Sequence, residues 1–208
     1  MENTPEWKAK TKIGLMVQNK EITTIDQVLD TGKPILEPEI VDVLIPELKI
    51  DTISIKSTQR VTDSGRKMKF RAIVVIGDEN GHVGIGAGKS EEIKPAIGYA
   101  TRNAKKNIIK IEKGCGSWEC RCGKTHSIPQ RVEGKIGTTH VVLYPAPKGV
   151  GLAGNAIIKK VLKLAGINDI WTKCTGNTSN IYNMALASLN ALDSYNKLKP
   201  NPEPGEDK

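Results

Sequence analysis

The sequence predicts an α+β protein built as two modules in series, αβββα and then βαβα. Three observations predict it. The apolar β-branched run Ala72–Ile76 is followed by Gly77-Asp78-Glu79-Asn80-Gly81 and a second extended run, His82–Ile85, which is a hairpin pattern. Behind the hairpin, Ile97, Ala100 or Thr101, Ala104, Ile108 and Ile111 recur at three- and four-residue spacing, so they form one helical stripe. A second alternation of strand and helix starts near Thr138.

In chain order, residues 1–36 are an extension, with a short helix from Thr24 to Leu29 capped by Thr23 or Thr24 and ended by Thr31-Gly32-Lys33-Pro34. Residues 37–112 form the first module. Ile40, Val41, Leu44 and Ile45 give its first helix, which Pro46 ends. Asp51–Ile55 is a strand, joined to the hairpin by a long loop, Gln59–Lys69. The stripe helix follows, and Pro95 marks its first turn. Residues 113–130 are a Gly- and Cys-rich linker, and residues 131–196 the second module. In that module Thr138–Tyr144 and Ile170–Thr175 are strands. Ile157, Ile158, Val161, Leu162 and Leu164 line one helix that Gly166 ends, and Met184, Leu186, Leu189 and Leu192 line another. The tail, 197–208, is too rich in Pro and acid to bury a core and is expected to be disordered.

Charge separates along the chain. The net charge is +8 over 208 residues. Residues 1–47 hold five Lys and nine acids, or −4, which leaves +12 for residues 48–208. A localised basic excess points to a polyanion. Between Lys56 and Arg71 stand six Lys or Arg and one acid, Asp63. Lys56, Arg60, Arg66, Lys67, Lys69 and Arg71, with Lys89, are therefore the expected phosphate contacts, and Gly65 suits close backbone approach. Arg102, Lys105 and Lys106 lie off the apolar stripe and give the helix a second basic face. No apolar run approaches 18 residues, and the N-terminus lacks the basic and apolar regions of a signal peptide. A cytosolic chain is expected.

Two phosphate-binding patterns fail on inspection. Gly84-Ile85-Gly86-Ala87-Gly88-Lys89-Ser90 would need Gly at position 83 to be a nucleotide loop, and that residue is Val83. These glycines are expected to let the strand lie close to another backbone. Gly149, Gly151 and Gly154 satisfy GxGxxG, and Asp169 lies 20 residues past Gly149. A ribose-binding acid belongs at the far end of a strand, whereas Asp169 precedes one. No nucleophile–base pair is evident; His82 and His140 are expected in surface or core roles.

The first module's element order is that of a double-stranded-RNA-binding domain. Gly65-Arg66, Phe70, Ala72, Val75-Ile76-Gly77-Asp78, Gly81, Val83-Gly84, Gly86 and Gly88-Lys89 also resemble, in order and spacing, a ribosomal family: the universal small-subunit ribosomal protein numbered five in the bacterial series. The resemblance runs from Leu48 to about Tyr195 and takes in the Pro145-Ala146-Pro147-Lys148-Gly149 loop. It implies a structural, non-enzymatic, rRNA-binding protein whose second module is of that family's C-terminal type. It further implies a place on the solvent side of the small subunit beside the protein numbered four, contact with messenger RNA near the entry channel, and an influence on decoding accuracy. The basic segment Thr62–Phe70 would reach the RNA of the head–body junction. The N-terminal extension and Cys-rich linker look archaeal or eukaryotic. The alternative is a free-standing double-stranded-RNA-binding regulator, which leaves the second module without a role.

The linker carries Cys115, Cys120, Cys122 and His126 as C-x4-C-x-C-x3-H. Three thiolates and an imidazole make a closed tetrahedral zinc site with no position left for chemistry, so a structural ion is expected rather than a zinc-dependent enzyme acting on nucleic acid. The competing expectation is a metal-free linker held in place by RNA. Cys174 lies apart on a strand and is expected to be a small buried residue.

Overall fold

A computed structural model describes residues 7, 9–120 and 122–197. The tail expected at residues 197–208 lies, beyond Lys197, outside the described residues. The element order is α1 (Lys12–Gln18), α2 (Ile25–Asp30), α3 (Glu39–Leu44), β1 (Lys49–Thr62), β2 (Gly65–Gly77), β3 (His82–Ser90), α4 (Ile93–Lys106), β4 (Ile108–Lys110), β5 (Val132–Ile136), β6 (Thr139–Pro145), β7 (Leu152–Ala153), α5 (Ala156–Leu164), β8 (Ile170–Thr175) and α6 (Ile181–Lys197). The strands form two four-stranded sheets, β1-β2-β3-β4 and β5-β6-β8-β7. No helix among the described residues is long and apolar enough to cross a membrane.

The inner half of β2, from Ala72 to Gly77, is buried on both faces, and its two faces serve different partners. Ala72, Val74 and Ile76 pack with Ala96, Ala100 and Ala104 of α4. Val75, between them in sequence, joins Val83 and Ile85 and packs against the second module's Ile158, Val161 and Leu162. Side chains alternate across a strand, so a continuous apolar run is what a strand between two layers requires. One core therefore runs through both modules.

α4 reaches the sheet because β3 has no side chains beneath it. A Cβ on Gly84 would strike the Ala104 carbonyl, one on Gly86 the Ala100 carbonyl, and one on Gly88 the Ala96 carbonyl. These are the glycines of the failed nucleotide motif, and their function is close backbone approach, as expected. Gly134 repeats the device under α6, where a Cβ would meet the Ala187 carbonyl.

Four expectations need correction. Gln59–Lys69 is not a loop. β1 and β2 continue pairing from Ser57↔Phe70 out to Thr62↔Gly65, leaving a two-residue turn at Asp63-Ser64. Gly65 has φ +126 with open space around a Cβ, so it serves this tight turn. Helix α4 stops at Lys106, and Ile108 begins a fourth strand paired with β3. The spacing from Ala104 to Ile108 and Ile111 still matches a helix, so periodicity alone hid the break; the β-branched pair Ile108-Ile109 favours a strand. The second module gains β5 and β7, too short and Gly-interrupted to stand out. Finally, the extension contains a second short helix, α1, capped by the Thr11 hydroxyl, which accepts from Gly14 N–H at 3.1 Å. The extension is packed: Val17, Ile25, Val28 and Ile35 join Ile40, Val41 and Ile108 in a core of their own.

The extension is also tied down by charge. His82 Nδ1 lies 2.6 Å from Asp78 Oδ2, and its Nε2 lies 3.1 Å from Asp26 Oδ1 on α2. Asp78 first, then Asp26, hold the imidazole above its ordinary value, against the opposing effect of burial.

Candidate nucleic-acid interface and metal centre

Beyond Phe70 and Ser90, where β3 ends its pairing, β1 and β2 project as a two-stranded ribbon. Six residues from Ser57 to Thr62 reach about 20 Å at strand rise. Residues directly opposite across an antiparallel pair share a face. Lys56 is opposite Arg71, Thr58 opposite Lys69, Arg60 opposite Lys67, and on the far side of β2 Arg71 is opposite Lys89. Six of the seven predicted cations of this segment thus stand on one face: Lys56, Arg60, Lys67, Lys69, Arg71 and Lys89. The seventh, Arg66, stands on the reverse face with Met68 and Phe70. An open groove of about 580 Å³ lies along the cationic face, lined by Thr58, Arg60, Lys67, Lys69 and Lys89 among others. The only acid of the ribbon, Asp63, is in the turn. Cross-strand like-charge pairs destabilise a sheet, so this face carries repulsion that no residue of the ribbon strands offsets.

Arg71 is the inner limit of the surface. Its guanidinium lies 4.6 Å from the ring centroid of Tyr182 on α6, a cation–π contact joining the modules. On α4, Arg102 and Lys106 are exposed. Lys105 is not a free cation: its side chain is 15% exposed and its ammonium is paired with Asp42 of α3. The sequence showed that Lys105 is off the stripe, but not that α3 lies alongside it.

The linker folds into a knuckle closed by the bridge Gly114↔Ser127. Cys115, Cys120 and Cys122 Sγ and a His126 ring nitrogen all lie within 4.8 Å of one another. Cys122 Sγ is 3.7 Å from Cys115 Sγ, and Cys120 Sγ is 3.6 Å from His126 Nε2. Ligands at Zn–S 2.3 Å and Zn–N 2.0 Å in a tetrahedron are separated by roughly 3.5–3.8 Å, so the donor set fits a zinc ion. The thiols are unlike one another. Loss of water, then Cys122 and Cys120, push Cys115 up to about 11. The Lys148 backbone N–H, then Cys122, draw Cys120 down to about 6. A cation would replace the protons these sulfurs otherwise share. Cys174 is half-buried against the second module's core and takes no part.

Asp169, excluded from sequence as a ribose-binding acid, has a place at this site that the sequence reading did not assign. It is 4% exposed. Its Oδ2 lies 2.9 Å from the buried His126 Nδ1, an ion-pair contact without the alignment of a hydrogen bond, and its Oδ1 accepts from the N–H groups of Gly149 (3.0 Å) and Gly151 (2.8 Å). The spacing of 20 residues that imitated a ribose-binding acid brings this carboxylate under the Gly-rich loop.

Sequence comparison agrees with this architecture. Residues 48–112 match the family described as ribosomal protein S5, N-terminal domain, and residues 134–201 its C-terminal domain. The metal knuckle falls between the two matches. The chain is 53% identical over 194 residues, 93% of its length and 89% of the relative's, to the small ribosomal subunit protein uS5 of Methanocaldococcus jannaschii. It is 48% identical to the protein of that name from Methanoregula boonei, covering 93% of this chain and 95% of the relative. Identity to that of Staphylothermus marinus is also 48%, over 93% and 91%. With both domains matched in order and relatives near half identity spanning almost the whole chain, this protein belongs to the ribosomal protein S5 family.

Proposed function

We propose that the chain holds small-subunit rRNA through the cationic face of the β1–β2 ribbon, with Arg102 and Lys106 as a second contact. As a member of this family it is a structural constituent of the small ribosomal subunit in the cytoplasm, and not an enzyme. The observation that carries the RNA reading is the cross-strand stacking of like charges, Arg60 on Lys67 and Lys56 on Arg71, which a phosphate backbone relieves. Arg66, on the reverse face, would touch a different strand or a protein neighbour. RNA recognised this way is read by shape and charge rather than by base edges.

Within the subunit, the reading places the protein beside the ribosomal protein numbered four and along the path by which messenger RNA enters, where it would support decoding accuracy. The test is incorporation: full-length chain should co-sediment with small subunits in high salt, and replacing Lys56, Arg60, Lys67 and Lys69 by Ala should abolish this. Undiminished incorporation of that variant would overturn the ribbon as the anchor.

The knuckle is read as a structural zinc site. Cys115, Cys120 and Cys122 would supply thiolates and His126 its Nε2, and the ion would brace a segment too polar to order itself. Metal analysis of purified protein should give one zinc per chain, lost in Cys120→Ser and Cys122→Ser. Protein without stoichiometric zinc would reject the site.

A further inference from the structure

The Gly-rich loop between β6 and β7 is fastened to the metal knuckle at several points. Ala146 N–H donates to Ser127 Oγ at 3.4 Å, and Lys148 N–H to Cys120 Sγ. Gly149 and Gly151 N–H groups donate to Asp169 Oδ1, whose other oxygen lies against His126 Nδ1. The backbone closes the circle: Asn168 and Asp169 N–H groups donate to the His126 carbonyl at 3.0 and 3.2 Å. Two ligands, Cys120 and His126, thus each have a direct line to the loop. The loop's outer residues, Lys148, Gly149 and Val150, are exposed, so its shape is a surface property of the protein.

We propose that Asp169 is a positioning residue that couples the metal to this loop. One oxygen holds the imidazole so that Nε2 faces the thiolates; the other fixes the two glycine amides. Carboxylates in this relation to a ligating histidine set its tautomer and orientation and raise its basicity. The shared carboxylate adds a consequence. A loop held only when His126 is held, and a histidine held only when the loop is seated, are linked, and linkage runs equally in both directions. Zinc occupancy therefore sets the shape of the exposed loop, and strain in the loop weakens zinc. A carboxylate that merely capped the loop would satisfy Gly149 and Gly151 and leave metal binding untouched, so the two roles separate by experiment.

The inference rests on the zinc reading. Full-length protein is titrated with zinc against a chromophoric chelator, and amide hydrogen exchange is followed at residues 146–151 with and without zinc. Asp169→Asn keeps an oxygen for the glycine amides but loses the charge facing His126. It should weaken zinc 10–100-fold, as outer-sphere changes do. Gly151→Ala touches no ligand but forces a Cβ into φ +72; it should also weaken zinc several-fold. Removing zinc from the wild type should speed exchange at Gly149 and Gly151 while α4 is unaffected. Wild-type protein that binds zinc, with unchanged affinity in both variants or loop exchange indifferent to zinc, overturns the coupling. Wild-type protein that binds no zinc overturns the metal reading itself, and the coupling with it.

Discussion

Arg60 stands directly opposite Lys67 across the β1–β2 ribbon, on the face that also carries Lys56, Lys69 and Lys89. Two cations on one non-covalent rung repel, and no acid on that face intervenes. Position on the ribbon, rather than number of charges, then decides which residues meet RNA. The triple variant Arg60→Ala, Lys67→Ala, Lys69→Ala should lose about three phosphate contacts and flatten the salt dependence of binding by roughly 2–3 units. Arg66→Ala should change the slope by less than about one unit. Equal effects from one residue on the reverse face and three on the front would contradict the segregation.

The α4 cations should divide in the same way. Lys105 is engaged with Asp42, so Lys105→Ala is expected to lower stability by up to about 1 kcal/mol through α3. Arg102→Ala and Lys106→Ala should leave chemical denaturation unchanged and weaken RNA binding. A stability loss shared by all three would mean that the exposed pair packs rather than binds.

One substitution should have opposite signs at two glycines on neighbouring elements, Gly86 on β3 and Gly98 on α4. Gly86→Ala pushes a methyl into the Ala100 carbonyl and Ala104 backbone of α4, where nothing flexible can yield; a loss of about 2–3 kcal/mol is expected. Gly98→Ala, on α4 with open space around it, should gain up to about 1 kcal/mol from helix propensity. Thermal or urea unfolding of both variants decides the matter.

His82 makes the docking of the extension dependent on pH. Its folded value is raised, so the native state binds the proton more tightly than the unfolded chain. That contribution is complete below the unfolded value of about 6.5 and disappears as pH rises through the higher folded value. Lys110, 3.1 Å from the same Asp26 oxygen, stays charged throughout this window. The stability difference between wild type and His82→Gln should therefore be largest near pH 5–6 and shrink toward alkaline pH, a range set by the histidine's ordinary value of about 6.5. Urea titrations across that range, with a constant difference, would remove His82 from this role.

The sequence made some features plain and hid others for definable reasons. The strand at Ala72–Ile76 was visible because it has no polar break, although its burial on both faces was not, and the cluster Cys115, Cys120, Cys122 and His126 was visible because metal chemistry restricts residue type more than position. The ribbon was hidden because polar residues dominate Lys56–Arg71, and Val61, Met68 and Phe70 on the reverse face give too weak an alternation to signal a strand; only the cross-strand register reveals the shared charge. Asp169 and Lys105 were hidden because their partners, His126 with the Gly149 loop and Asp42 respectively, are distant in sequence. Composition places charges on a chain, but only the fold pairs them.

The self-repelling ribbon has a consequence for the life of the protein before assembly. Residues 57–69 are held by pairing between β1 and β2, with no third strand beside them. In an unassembled copy this is the segment that opens most readily, and open, exposed backbone is what proteases cut. RNA that quenches the repulsion also shields the peptide bonds. The stretch proposed to anchor the protein on RNA would therefore also mark surplus copies for removal, and limited proteolysis of free chain should nick it first.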